Sequence, residues 1–184
     1  GHPLITLGHD WGGVVSLGWA ARHPELVAGV ATLNTAVHQP EGAPIPAPLQ
    51  AALAGPVLPA STVTTDAFLS VTTSLATPAL DRETRAAYHL PYDTAARRGG
   101  VGGFVADIPA DPGHGSHPEL QRVGEDLAAL GRTDVPALIL WGADDPVFLD
   151  RYLDDLRDRL PHARVHRYEQ AGHLLVDDRD ITAP

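Results

Sequence analysis

The chain has 184 residues, of which 43% are hydrophobic and 20% charged, and a formal net charge of −10. That length and composition suit one globular domain with its own core and exclude a disordered chain, and the acidic balance argues against nucleic acid or anionic lipid as a partner. With no cysteine, a disulfide framework, a thiolate zinc site and a thiol nucleophile are excluded, and no apolar run reaches the roughly 20 residues that span a bilayer.

Residues 4–7 (LITL) are a short apolar run closed by glycine, which predicts a buried parallel strand. Residues 14–22 (VVSLGWAAR) predict a helix with small residues where it must approach a sheet, and residues 27–33 (VAGVATL) a second buried strand. From Asn34 the composition changes. Residues 38–60 are rich in Pro and Ala, and the stretch PEGAPIPAP is incompatible with a sheet strand or a long helix. Helical character returns in TTDAFLSVTTSLA and in TPALDRETRAAYHL, where Asp81 is a candidate N-cap.

The stretch ARRGGVGGFVADIPADPGHGSHPEL reads as loop, and PELQRVGEDLAAL as a helix ending near Gly131. A strand is expected at 137–141, an amphipathic helix at 150–160 and a strand at 164–168. QAGHLLVDD then reads as a loop leading into a helix. Strands alternating with helices imply an α/β fold with a mostly parallel sheet. The expected organisation is a core part at 1–36, a helical lid at 37–131 inserted between strands, and a second core part at 132–184. A strand-like run directly after Gly1 and His2, in a chain without methionine, leads us to expect further residues upstream. The ending DDRDITAP, which has no helix cap, points to a chain that continues.

Gly8-His9-Asp10-Trp11-Gly12 has the form G-x-nucleophile-x-G between a strand and a helix, the spacing of a nucleophile elbow. Flanking glycines would remove Cβ atoms from a sharp reversal, and the helix N-terminus would present its N–H groups above it. A carboxylate there is placed to attack carbon and form an ester with the protein. The plain alternative is that Asp10 only caps the helix. His173, in the loop after the last strand, is the candidate base. Asp145, in WGADDP after another strand, is the candidate acid that orients it, with Asp144 as its solvated neighbour. Both fall at carboxyl ends of parallel strands, where sites of open α/β sheets lie.

Three weaker signals are set aside. RRGGVGG follows no strand, so it is not read as a phosphate loop. His114 and His117 in GHGSH lack a third ligand at useful spacing, so no metal site is expected and a solvated loop is. Asp177, Asp178 and Asp180 read as the exposed start of a helix.

GHDWGG, WGADDPVF and AGHLLVDD together resemble the aspartate-nucleophile α/β-hydrolases, namely haloalkane dehalogenases and epoxide hydrolases, and look most similar to the β-lactone decarboxylases of bacterial olefin biosynthesis. The resemblance implies the C-terminal part of an α/β-hydrolase fold, with the first strands and an oxyanion loop lying upstream. It gives Asp10 as nucleophile, His173 as base and Asp145 as its partner. The Trp11 backbone N–H would serve the oxyanion hole, and its indole N–H would hold a leaving group. Tyr88, Tyr92 and Phe104 are lid candidates; lid tyrosines protonate the epoxide oxygen in epoxide hydrolases, while packing on the sheet is their plainer role. The apolar lid implies an apolar small-molecule substrate. The reaction expected is β-lactone decarboxylation to an olefin, or haloalkane dehalogenation, through an aspartyl ester. An epoxide hydrolase and a non-catalytic binding module are the alternatives. No cofactor is expected, a cytoplasmic location is, and the β-lactone relatives add a fused or associated AMP-forming ligase-type domain. The stretch alone, without the upstream loop, is expected to be inactive.

Overall fold

The structure, a computed structural model, describes residues 2–39, 45–110 and 113–182. Part of the proline-rich stretch expected to be irregular, 40–44, and residues 111–112 of the expected loop lie outside the described residues.

Strand β1 (Leu4–His9) runs into helix α1 (Trp11–Arg22), and β2 (Val27–Leu33) follows. The insert comes next: α2 (Ala47–Leu53), then α3 (Val57–Pro59) continuing into a π turn at Ala60–Thr64, then α4 (Ala67–Thr73), α5 (Arg82–His89) and α6 (Ala95–Ala106). Helix α7 (His117–Leu130), β3 (Ala137–Gly142), α8 (Asp150–Arg159), β4 (Arg164–Tyr168) and α9 (Leu175–Asp178) complete the order.

The four strands form one parallel sheet in the order β1-β2-β3-β4. Parallel pairing in register, with His9 opposite Leu33, Leu33 opposite Leu140 and Gly142 opposite Tyr168, brings the carboxyl ends to one rim. Strand β1 is parallel as expected but not buried: it lies on an outer edge of the described sheet, where Ile5 is 74% and Leu7 61% exposed.

The main core lies between the sheet and helices α1, α7 and α8. Leu17, Ala20, Leu127, Ile139, Trp141 and Leu156 are buried there. Gly18 lets α1 and α7 close on each other, because a Cβ at that position would stand 3.1 Å from Val123. A smaller cluster on the opposite face joins Leu33, Leu140, Ala171 and Leu175.

Two expectations are corrected. The glycine-rich stretch read as loop is helix α6, started by the Thr94 hydroxyl accepting from the Arg97 N–H at 3.4 Å. Of its four glycines only Gly102 serves close approach to the π turn, since a Cβ there would press on Val63, while Gly99, Gly100 and Gly103 face open space. Arg98, 8% exposed, fastens the same junction by donating to the carbonyls of Val63, Thr64 and Tyr92 at 2.9, 3.2 and 2.8 Å. Helix α7, placed in the lid by the sequence reading, instead buries Val123, Leu127 and Leu130 in the main core, so the insert above the sheet ends before it. Asp81 caps α5 as expected, accepting from the Thr84 N–H at 2.7 Å.

Candidate active site

The turn after β1 has the geometry of an elbow. Asp10 sits at φ 50° and ψ −127° and makes no side-chain capping bond to α1, so the plain capping role is absent. A non-glycine residue in such a conformation stores roughly 1–3 kcal/mol of strain, held here by bonds on both sides. The Asp10 N–H donates to the Asn34 carbonyl at 3.1 Å, and the Thr35 hydroxyl donates to the Asp10 carbonyl at 2.6 Å. Of the two flanking glycines only Gly8 is required by space, because a Cβ there would strike the Gly12 carbonyl and Ser16. Gly12 faces open space, and the crowded position is Gly13, against Thr35.

The other groups arrive from the neighbouring strand ends. Asp145, 2% exposed, follows β3 and receives four hydrogen bonds. One oxygen accepts from the N–H groups of Val147 and Phe148 at 2.7 and 3.1 Å. The other accepts from Asn34 Nδ2 at 2.9 Å and faces His173 Nδ1 at 3.0 Å. Asp144, its neighbour, is exposed. A carboxylate only accepts, so Nδ1 carries the proton and Nε2 of the neutral ring presents its lone pair. That Nε2 lies 3.7 Å from Asp10 Oδ2. His173 is 4% exposed and stacks on Phe148 with ring centroids 5.8 Å apart. Asp10, Asp145 and His173 are thus brought together.

Burial by itself would lower the basicity of His173. The Asp145 hydrogen bond and charge, with Asp10 and Asp178 behind them, reverse this and raise the imidazole above its ordinary value. The Asp10 carboxyl is pushed up by burial and by Asp145, against the pull of His173 and the Trp11 N–H. Its side chain keeps 44% of its surface accessible, so it is crowded by protein yet open on one side.

That side is a cavity of about 290 Å³ lined by Asp10, Trp11, Val14, Phe68, Val101, Phe104, Val105, Ile108, Val147 and Phe148, with His38, Gln39, His117, Gln121 and Tyr152 among its polar members. Phe104 from the insert comes within 6.1 Å of the Trp11 ring, centroid to centroid. Tyr88 and Tyr92 do not line this cavity. The Tyr88 hydroxyl donates to Asp177 at 2.6 Å, and Tyr88 borders a second cavity beside Leu174 and Val176. His117 faces the main cavity rather than a solvated loop, and His114 is tied to the Ala106 carbonyl at 3.0 Å.

Several residues here were not singled out by the sequence. Asn34, fully buried at φ 21°, gives its Nδ2 to both the Gly142 carbonyl and Asp145, and its Oδ1 accepts from the Gly142 N–H at 2.7 Å. It locks the ends of β2 and β3 around the acid. His9 places its ring 4.8 Å from that of His173. The signal that could have found Asn34 is an amide side chain directly after an apolar strand, on the rim where α/β sites form.

Comparison with known proteins places the fold. A family model described as the alpha/beta hydrolase fold matches residues 1–180. A cis-3-alkyl-4-alkyloxetan-2-one decarboxylase of Shewanella oneidensis is 34% identical over 92% of this chain and 54% of its own length. Haloalkane dehalogenase 1 of Mycobacterium bovis is 27% identical over 96% of this chain and 57% of its own. The chain spans a little over half the length of these curated relatives. Among solved structures, the haloalkane dehalogenase DatA of Agrobacterium tumefaciens superposes with a TM-score of 0.80 at 16% identity, covering 94% of this chain and 60% of that one. With the matching model running through β1, the insert and the final loop alike, the chain belongs to the alpha/beta hydrolase fold family.

Proposed function

We propose that Asp10 attacks an apolar electrophilic carbon substrate and forms an aspartyl ester, with a β-lactone as the preferred substrate and a haloalkane as the second reading. The observation that carries this is a carboxylate held in a strained turn, 3.7 Å from an imidazole that is itself fixed by a buried acid, at the floor of a largely apolar cavity. With a β-lactone, an Asp10 oxygen bonds to the ring carbon that carries the lactone oxygen, and that C–O bond breaks to free a carboxylate. The carboxylate then leaves as CO₂, its C–C electrons form the olefin, and the aspartyl C–O bond breaks to restore Asp10. No water is consumed. With a haloalkane the halide leaves first. His173 then takes a proton from water, which attacks the ester carbonyl and releases an alcohol.

The two curated relatives named above carry these two activities in their names, which supports both readings. The position of Trp11 on the cavity wall suits an indole donor to a leaving group. An epoxide is disfavoured because Tyr88 gives its hydroxyl to Asp177 and neither Tyr88 nor Tyr92 lines the cavity. A binding module would have no need of the shared geometry of Asp10, Asp145 and His173. Under the β-lactone reading an AMP-forming ligase-type domain, fused or separate, would supply the lactone, and Phe104 would contact its alkyl part.

The test offers the full-length protein a long-chain β-lactone, a bromoalkane and an epoxide, and follows olefin, bromide and diol. Olefin from the lactone, lost in Asp10→Asn, is expected. Absence of all three products, with no mass increase on the Asp10 peptide even in His173→Ala, would overturn the proposal.

A further inference from the structure

The carboxylate of Asp178 lies outside the Asp10, Asp145 and His173 group, yet it is 5% exposed and both its oxygens are engaged. Oδ2 accepts from the N–H of Gly172, the residue before His173, and Oδ1 from the N–H of Thr77 at the base of the insert, each at 2.6 Å. Its neighbour Arg179 takes the carbonyls of the same junction, donating to Gln170 at 2.5 Å and to Thr77 at 3.4 Å. The approach is tight: a Cβ on Gly172 would stand 3.0 Å from the Leu75 carbonyl of the insert. The sequence reading of this stretch as an exposed charge run is therefore corrected. Asp178 and Arg179 form a clasp with opposite polarity on opposite backbone groups.

We propose that Asp178 is a positioning residue for His173: its buried carboxylate fixes the loop that carries the imidazole, ties that loop to the insert over the cavity, and keeps a negative charge behind the ring. The proposal rests on the reading of His173 as the base at Asp10.

A structural clamp alone would need no charge, because a neutral acceptor satisfies one N–H as well. Here the two N–H donors approach different oxygens of one side chain, and a carboxamide would turn one of those acceptors into an NH2 facing an N–H. The charge also acts on the ring, since Asp178 is among the groups that hold His173 above its ordinary basicity. The other ionisable groups facing His173 are Asp145, Asp10 and His9. Those beside Asp178 are Arg179, on its own backbone carbonyl at 2.6 Å, and the Tyr88–Asp177 pair.

The experiment titrates His173 by NMR in the full-length protein without substrate, its signal assigned by loss in His173→Gln. Asp178→Asn is expected to lower the midpoint by about 0.5 unit or more and to cut kcat about tenfold at unchanged KM. Asp177→Asn, which removes only the partner of Tyr88, is expected to leave the midpoint in place. A folded Asp178→Asn protein whose midpoint equals that of the wild type would overturn the proposal. Should that variant not fold, Asp178→Ser, a smaller neutral side chain that places no NH2 against the Gly172 and Thr77 N–H groups, is titrated in the same way: a lowered midpoint supports the proposal and an unchanged one refutes it. The titration needs no turnover, so it stands apart from the test of Asp10.

Discussion

Acidification should destabilise this protein through His9, by an amount that the structure sets. The ring is enclosed beside His173, and burial, reinforced by the His173 charge, lowers its pKa from 6.5 to about 4 against the weaker pull of the His173 carbonyl and Asp145. The unfolded chain therefore takes up a proton near pH 6.5 that the folded chain refuses until near pH 4. A folded pKa below the unfolded one means the stability is fully present above pH 6.5 and is lost as pH falls through that window. The whole gap corresponds to about 3 kcal/mol, of which about 2 kcal/mol has been lost by pH 5. The measurement is urea denaturation of the wild type and of His9→Asn, in which the amide keeps a donor near the Nδ1 position, at pH 7.5, 6 and 5. All other titrating groups are common to both proteins, so the difference between the curves isolates His9. The wild type should lose about 2 kcal/mol relative to the variant between pH 7.5 and 5, which is roughly 1 M in urea midpoint. Parallel pH dependence in the two proteins would refute the claim that the fold keeps this imidazole neutral.

Three further outcomes are expected. Asn34→Ala should cost about 2–4 kcal/mol, read by chemical denaturation, because it strands the Gly142 N–H and C=O in a fully buried site; a loss under about 0.5 kcal/mol would show that the two strand ends close without it. Asp10→Gly should raise stability by about 1 kcal/mol in thermal melts while removing activity, since glycine adopts φ 50° without strain; Asp10→Asn keeps the strain and should melt within a degree or two of the wild type. Arg98→Met should speed amide hydrogen exchange at 57–64, where two of its three carbonyl bonds are lost, and leave exchange in the sheet unchanged.

The strands, their parallel order and the turn at Asp10 were readable because each is encoded within a few consecutive residues: apolar runs at β1, β2 and β3, alternation at β4, and a helix of small residues after the turn. His173 and Asp145 could be singled out for the same reason, as polar residues just past such runs. Asn34 was not readable, because its task exists only when β2 lies between β1 and β3, and its main partner Gly142 is 108 residues away in the chain. Asp178 was hidden inside a run of acidic residues whose neighbours Asp177 and Asp180 gave no hint that one carboxylate turns inward. Helix α6 was missed because glycine weakens a helix by propensity, a local rule overridden by the packing of Gly102 on Val63 and by the Arg98 anchor. Gly12 was credited with a role that belongs to Gly13, a difference set by where Thr35 lies and invisible from spacing.

The sheet also has a consequence for how activity would be regained after denaturation. Asp10, Asn34, Asp145 and His173 each stand just past the end of a different strand. No piece with fewer than all four strands carries the whole arrangement, and no partly assembled sheet can hold the rest at working distance. If Asp10 acts as proposed, recovery of turnover in the full-length protein should accordingly trail every local spectroscopic signal and coincide with the last of these strands joining its neighbour, making the reaction itself a clock for that step of assembly.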